Sequence, residues 1–164
     1  MSGRAFVFGD NIDTDALAPG RYMKGSIEEL AQHCLEAVAP TFAKQVRPGD
    51  VVVAGRNFGM GSSREQAAQA LKMLGVSAVI AKSFGGIFYR NALNLGLPVV
   101  VCAETDSISE GDIVGVDLAC GMVTNETSGR VLTGERLPAF LLDMLADGGL
   151  VPHLEKKFAR QRAS

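Results

Sequence analysis

Between residues 55 and 65 the chain concentrates glycine, serine and arginine in one short loop. The central part of this loop, residues 59–64, reads Gly-Met-Gly-Ser-Ser-Arg. Glycines let the backbone approach a ligand closely, and the guanidinium of Arg64 can bind a carboxylate through two hydrogen bonds. A helix is predicted to begin at about Arg64, and free N–H groups at a helix start favour negative charge. The loop therefore predicts a binding site for a small anion.

The same loop also has a purely structural interpretation. Ser62 with Glu65, and Ser63 with Gln66, have the spacing of a capping box at a helix start. Two adjacent serines, two glycines and an arginine exceed what capping requires, which favours a functional loop. The nucleotide-binding motifs do not fit, because Ser62 stands where a P-loop needs lysine and the dinucleotide fingerprint lacks its third glycine.

The segments around this loop predict an α/β fold with a parallel core. Short apolar strands are expected at residues 5–8, 51–54, 76–81 and 97–102. Helices are expected at about 64–74 and 83–95. Strands and helices that alternate with short links indicate right-handed crossovers and a parallel sheet. The short runs between residues 113 and 132 are separated by Gly, Asn and Ser, which is typical of antiparallel strands.

Further helices complete a single domain, which we predict to span residues 1–164. One helix is expected to begin after Ser26 in a capping box, with an apolar stripe that continues to Leu35. A final helix is expected at residues 137–146. The charged tail is expected to be frayed from about residue 155.

The overall composition excludes several classes of function. The 164 residues are 47% hydrophobic and 21% charged, as in an ordinary globular protein, and the formal net charge is −2. This charge indicates neither a nucleic acid nor an anionic membrane as partner. No apolar run approaches the roughly 18 residues of a membrane span, and the first residues lack a signal-peptide pattern. We therefore expect a cytoplasmic protein with no nucleic-acid or membrane partner.

The three cysteines, Cys34, Cys102 and Cys120, show no metal-binding pattern. None belongs to a CxxC pair, and their spacing fits no zinc or iron–sulfur motif. We therefore expect no metal site and no cofactor bound by this chain. If the protein takes part in iron–sulfur chemistry, a partner has to hold the cluster.

Three motifs, in order along the chain, resemble those of the aconitase swivel domain. Residues 61–65 match the family signature, residues 9–15 resemble its N-terminal motif, and residues 82–98 resemble its third motif. The resemblance covers about the whole chain. In this family the domain is fused to cluster-binding domains or made as a separate small subunit, as in isopropylmalate isomerases and homoaconitases. The implied fold is a single swivelling β/β/α domain with a parallel βαβαβ core and additional antiparallel strands.

The resemblance also implies a reaction and a partner. The reaction would be the reversible dehydration and rehydration of 2-hydroxy di- or tricarboxylic acids, in a heterodimer or heterotetramer with a large subunit. A [4Fe-4S] cluster in that large subunit would bind the substrate hydroxyl and a carboxylate. Ser62 would be the base that removes a proton, with Arg64 favouring its alkoxide and holding a carboxylate. Asp15 matches an acidic residue that supports the site, and Ser63 and Gly61 would contact the substrate.

The resemblance assigns the choice of substrate to the loop of residues 21–24. An isopropyl group requires apolar walls, whereas a third carboxylate requires a cation. In the family this loop can carry an arginine that contacts the substrate, and Lys24 occupies that place here, with Arg21 as a second candidate. The alternative is that both are solvated loop cations. The resemblance makes 3-isopropylmalate the first choice, and homoaconitate or a dimethylmalate-type acid the alternative. Outside enzymes, the alternative is a non-catalytic anion-binding module.

Overall fold

Seven short strands form the frame of the molecule, and the computed structural model describes residues 2–163. Met1 and Ser164 of the predicted domain therefore lie outside the described residues. The strands are β1 (Ser2–Val7), β2 (Val51–Ala54), β3 (Ala78–Ala81), β4 (Val99–Val101), β5 (Ile113–Asp117), β6 (Met122–Asn125) and β7 (Arg130–Thr133). They form one sheet in the order β4-β3-β2-β1-β5-β6-β7.

Seven helices accompany the sheet within the described residues. They are α1 (Thr14–Leu17), α2 (Ile27–Ala31), α3 (Phe42–Gln45), α4 (Gln66–Met73), α5 (Gly86–Asn94), α6 (Ala139–Ala146) and α7 (Leu150–Ala163). Strands β1 to β4 pair in parallel, with α4 and α5 as crossovers, whereas β5, β6 and β7 pair antiparallel. The predicted α/β fold with a parallel core and additional antiparallel strands is confirmed.

The parallel strands separate two apolar cores. Strands β2 and β3 are buried along their whole length, and successive side chains point to opposite faces. Val52 and Ala54 of β2 therefore pack in the core that the helices cover. Val51 and Val53 pack in a second core, together with residues of the antiparallel strands.

The sheet curves around this second core until its two ends meet. Cys102, directly after β4, forms an antiparallel bridge with Gly134, directly after β7. The N–H of Glu135 donates to the carbonyl of Val101 at 2.8 Å. A Cβ at position 134 would lie 2.6 Å from a methyl of Val100, so this close approach requires glycine.

The helix after Ser26 is shorter than the sequence predicts. Its capping bond is present, because the N–H of Glu29 donates to Oγ of Ser26 at 3.1 Å. The helix nevertheless ends at Ala31, and Leu35 has a φ of +62°. The N–H of Leu35 donates to the carbonyl of Ala16 at 2.9 Å, so a tertiary hydrogen bond replaces a helical one. The predicted apolar residues are buried, but the predicted continuation of the helix is wrong.

The charged tail also differs from its prediction. Residues from about 155 were expected to be frayed, yet α7 continues to Ala163. Asp147 anchors the beginning of this helix, because it accepts hydrogen bonds from His153 and Lys156 at 2.8 and 3.0 Å. The tail is rich in Lys, Arg, Ala and Gln, which are good helix formers.

Candidate active site

Three loops meet at the carboxyl edge of the parallel strands. They follow β1, β2 and β3, and they contain residues 9–15, residues 55–65 and the beginning of the third motif, residues 82–85. Because parallel strands end at the same edge of a sheet, residues far apart in the sequence come together there. This edge is the usual place for a ligand site in an open α/β sheet.

Backbone hydrogen bonds hold the middle loop between the other two. The N–H of Gly59 donates to the carbonyl of Ile12, on the β1 side of the loop. On the β3 side, the N–H of Phe58 donates to the carbonyl of Ser83 at 3.0 Å, and the N–H of Gly85 donates back to Phe58 at 2.9 Å. The middle loop is therefore fixed on both sides by main-chain contacts.

Two asparagines add a side-chain connection among the same three loops. The amide nitrogen of Asn57 donates to Oδ1 of Asn11 at 3.0 Å, and the N–H of Asn57 donates to Oγ of Ser83 at 2.8 Å. Both asparagines have a φ of +59°, a left-handed conformation that asparagine adopts more readily than most residues. Asparagine thus serves both the turn geometry and the loop-to-loop contact.

Close packing and positive φ angles favour glycine at positions 59 and 61. A Cβ at Gly59 would lie 2.2 Å from the ring of Phe88, and one at Gly61 would lie 3.0 Å from Oγ1 of Thr14. Both glycines also have positive φ angles, of +80° and +113°. The sequence interpretation assigned these glycines to ligand approach. The predicted contact of Gly61 with substrate stays a prediction.

Ser62 is exposed, and it is held by Thr14 instead of capping a helix. The N–H of Ser62 donates to Oγ1 of Thr14 at 3.1 Å, and the two hydroxyl oxygens also lie 3.1 Å apart. Helix α4 begins at Gln66 with Glu65 as its N-cap, and no side chain caps it. The predicted capping boxes of Ser62 and Ser63 are therefore wrong, because the helix begins two residues later than expected.

Arg64 and Asp15 form an ion pair beside Ser62. Nη1 of Arg64 donates to Oδ1 of Asp15 at 2.8 Å and to the carbonyl of Ala18 at 3.1 Å. The N–H of Gly20 donates to the same carboxylate oxygen at 3.1 Å. The hydrogen bond from Arg64, and then that from Gly20, hold the pKa of the Asp15 carboxyl below its ordinary value. Asp15 is therefore ionised at neutral pH and orients the guanidinium of Arg64.

An aromatic stack attaches the predicted specificity loop to the turn that follows α2. The ring of Tyr22 lies 3.6 Å from the ring of His33, with 4° between the planes. Nδ1 of His33 lies 2.7 Å from a carboxylate oxygen of Glu36. The guanidinium of Arg21 lies over the Tyr22 ring at 5.4 Å, and both Arg21 and Lys24 are exposed. The structure thus leaves Lys24 accessible and gives Arg21 a partner on its own loop.

Sequence reasoning assigned no role to Thr14 or His33. Thr14 precedes Asp15 within the N-terminal motif, and that position was the available signal. His33 gave no signal, because its ring partner Tyr22 lies on a different segment and only the fold brings the two together.

The described part of the chain, residues 2–163, contains no group of three or more His, Cys, Asp or Glu side chains arranged for a metal ion. Cys34 and Cys102 are buried, and burial raises the pKa of both thiols. These residues therefore do not form a ligand set for an iron–sulfur cluster. Among residues 2–163, no helix has both the length and the apolar character needed to cross a membrane.

Known proteins match this chain over nearly its full length. Residues 15–104 match the aconitase C-terminal domain. The chain is 54% identical over 158 residues to the 3-isopropylmalate dehydratase small subunit 2 of Archaeoglobus fulgidus, with 95% of each chain covered. It is 53% identical over 157 residues to the methanogen homoaconitase small subunit of Methanothermobacter thermautotrophicus, covering 95% of this chain and 91% of that protein.

A solved structure has the same fold. The crystal structure of 3-isopropylmalate dehydratase from Methanocaldococcus jannaschii matches with a TM-score of 0.94 at 46% identity, covering 99% of this chain and 97% of that one. The chain belongs to the aconitase C-terminal domain family, and the resemblance that its three motifs indicated is confirmed.

Proposed function

We propose that this chain is the small subunit of an aconitase-type hydro-lyase, which isomerises 2-hydroxy acids by dehydration and rehydration. The observation that carries the proposal is the meeting of three family motifs around an exposed Ser62 beside the Arg64–Asp15 pair. Relatives with about half of their residues identical are named as small subunits of such enzymes. Together these observations favour the interpretation that this chain supplies half of an active site.

Each site residue has a defined task in this proposal. Ser62 removes a proton from the carbon beside a substrate carboxylate, and the positive charge of Arg64 favours the alkoxide that this step needs. Arg64 also binds a substrate carboxylate. Asp15 positions Arg64, since its carboxylate accepts a hydrogen bond from the guanidinium. Ser63 and Gly61 lie in the same loop and are proposed to contact the substrate.

The proposal requires a partner, because the described residues contain no cluster-binding set. We assign the [4Fe-4S] cluster to a large subunit, in a heterodimer or heterotetramer with this chain. When bound there, the cluster supplies a Lewis acid for the substrate hydroxyl and a carboxylate. A cytoplasmic location is part of the same proposal.

The proposed substrate is 3-isopropylmalate, and homoaconitate is the alternative. Overall sequence identity does not distinguish between these two substrates. The chain is 54% identical to a 3-isopropylmalate dehydratase small subunit and 53% identical to a homoaconitase small subunit. A dimethylmalate-type acid is a further alternative. The cation at Lys24 is the feature on which the choice depends.

Reconstitution tests the function directly. The purified chain is mixed with a cluster-bearing large subunit, and dehydration is followed by the ultraviolet absorbance of the unsaturated acid. We expect no activity from either chain alone and activity from the mixture, with the highest kcat/KM for 3-isopropylmalate. Dehydration by this chain in the absence of any large subunit would contradict the proposal.

Replacing Lys24 tests the choice of substrate. Lys24→Met removes the charge but keeps the length of the side chain. We expect about a ten-fold loss of kcat/KM for a substrate whose third carboxylate pairs with Lys24, and a change of less than about three-fold for 3-isopropylmalate. The matched control is Lys44→Met, at an exposed lysine in α3. An equal loss for all acids would contradict a role of Lys24 in specificity.

A further inference from the structure

The side-chain hydroxyl of Thr14 contacts both the backbone and the side chain of Ser62, although sequence reasoning gave Thr14 no role. Oγ1 of Thr14 lies 3.1 Å from Oγ of Ser62 and accepts the Ser62 N–H at 3.1 Å. Thr14 is 2% exposed, whereas Ser62 is exposed. The threonine hydroxyl thus lies beneath the serine, on the side away from solvent.

Backbone hydrogen bonds of Thr14 with two other residues fix the position of its hydroxyl. The N–H of Thr14 donates to the carbonyl of Met60 at 2.8 Å, and its carbonyl accepts the N–H of Ala18 at 2.8 Å. Gly61 leaves room for the hydroxyl, since a Cβ there would lie 3.0 Å from Oγ1 of Thr14. The contact with Ser62 is therefore preorganised and needs no rearrangement when the reaction begins.

The number of available protons determines which of the two hydroxyl groups donates the hydrogen bond. A threonine hydroxyl has one proton, and the Thr14 oxygen already accepts the Ser62 N–H. While Ser62 keeps its own proton, either hydroxyl can donate to the other. Once Ser62 is an alkoxide, only Thr14 can donate, and the hydrogen bond becomes charge-assisted and therefore stronger. A hydrogen bond that strengthens in the charged form favours that form.

We infer that Thr14 is a positioning residue for the reaction, whose hydroxyl donates a hydrogen bond to the Ser62 alkoxide and holds the Ser62 backbone. This inference rests on the proposed role of Ser62 as the base. It adds a neutral donor from this chain to the cation at Arg64. The donor acts on the serine and does not contact the substrate.

Two substitutions in the reconstituted complex test the inference. Thr14→Val keeps the shape of the side chain but removes the hydroxyl, and Thr14→Ser restores it. We expect kcat to fall about 10²-fold in Thr14→Val, the typical cost of one lost oxyanion donor, with KM within about three-fold. Thr14→Ser is expected to keep kcat within about five-fold of the wild type, because the donor is retained.

A matched control is available at Thr105. It is 3% exposed and, like Thr14, begins a short helical turn. Thr105→Val is expected to leave kcat within about two-fold, because it removes a buried hydroxyl that does not contact Ser62. If Thr14→Val fails to fold, Thr14→Ala measured against Thr14→Ser makes the same comparison.

Substrate deuterated at the carbon that loses its proton provides a further readout. The isotope effect on kcat in Thr14→Val should be at least as large as in the wild type, because slowed proton transfer cannot become less rate-limiting. A smaller isotope effect, a kcat of Thr14→Val within three-fold of the wild type, or a Thr14→Ser variant as impaired as Thr14→Val would each overturn the inference. An inactive wild-type complex would instead overturn the proposed function itself.

Discussion

Strands β1 to β4 run parallel and carry crossover helices on one face, whereas β5 to β7 run antiparallel and are joined by tight turns. β2 and β3 are fully buried, but each antiparallel strand contains both buried and exposed residues. Every predicted site residue lies in the connections of the parallel half. The antiparallel half supplies Val114, Val123 and Leu132 to the second core and no site residue.

Chain connectivity explains this division. After a parallel strand, the chain must cross back to the edge of the sheet where the strands begin. Long connections therefore follow the carboxyl end of each parallel strand. Three such connections meet and support one another around residues 57–60. An antiparallel turn needs only a few residues and ends where the next strand begins, which leaves no room for a composite site. We therefore expect substitutions in the two halves to affect different properties.

The largest expected effect is the loss of turnover in Ser62→Ala. If Ser62 is the base, kcat of the reconstituted enzyme should fall by about 10³-fold or more, because no other group replaces the alkoxide. The control is Ser128→Ala, at an exposed serine in the turn between β6 and β7. Its kcat should stay within about two-fold. A Ser62→Ala enzyme with normal turnover would favour the anion-binding module instead.

The next effect is expected on stability, in the antiparallel half. Leu132 is 1% exposed in the second core, and Leu132→Ala should lower the free energy of unfolding by about 2–5 kcal/mol. Urea denaturation of this chain measures the change. Leu132→Met, which nearly conserves volume, should cost less than about 1.5 kcal/mol. If Leu132→Ala lowered kcat of the folded complex as much as Ser62→Ala does, the proposed division of the molecule would be wrong.

A smaller effect is expected for Asp15→Asn, which removes the charge that orients Arg64. We expect kcat/KM to fall about ten-fold, while stability changes by no more than about 1 kcal/mol because the ion pair is partly exposed. The control is Asp147→Asn, where the carboxylate pairs with His153 and Lys156 at the start of α7. That change should leave turnover unaltered, because this carboxylate contacts no residue of the proposed site.

The ion pair between Asp15 and Arg64 also predicts how activity depends on pH. Hydrogen bonds from Arg64 and Gly20 lower the pKa of the Asp15 carboxyl in the folded chain. The contribution of the pair is therefore complete above the ordinary pKa of aspartate and is lost as the pH falls through the lowered value. Comparing kcat/KM between wild type and Asp15→Asn as a function of pH measures this contribution. The ratio should approach one only under acidic conditions, and a constant ratio would exclude titration of Asp15 as the cause.

Predictions from the sequence are correct where the local structure depends on residues close together in the sequence. The predicted capping bond after Ser26 is present, because the N–H of Glu29 donates to Oγ of Ser26. They are wrong where a local pattern competes with a distant partner. Ser62 has the spacing of a helix cap, yet its hydroxyl lies beside Thr14, 48 residues away in the sequence.

The sequence by itself determined the alternation of strands and helices, the family, and the residue types available at the site, because these depend on spacing and local chemistry. Only the tertiary structure decided which groups act on one another. The pairs Thr14 with Ser62 and Asp15 with Arg64 join segments 48 and 49 residues apart. They meet because β1 and β2 are parallel neighbours whose carboxyl ends lie at one edge of the sheet. At that edge, the loop of residues 59–64 exposes Ser62 to solvent, and the buried hydroxyl of Thr14 lies beneath it.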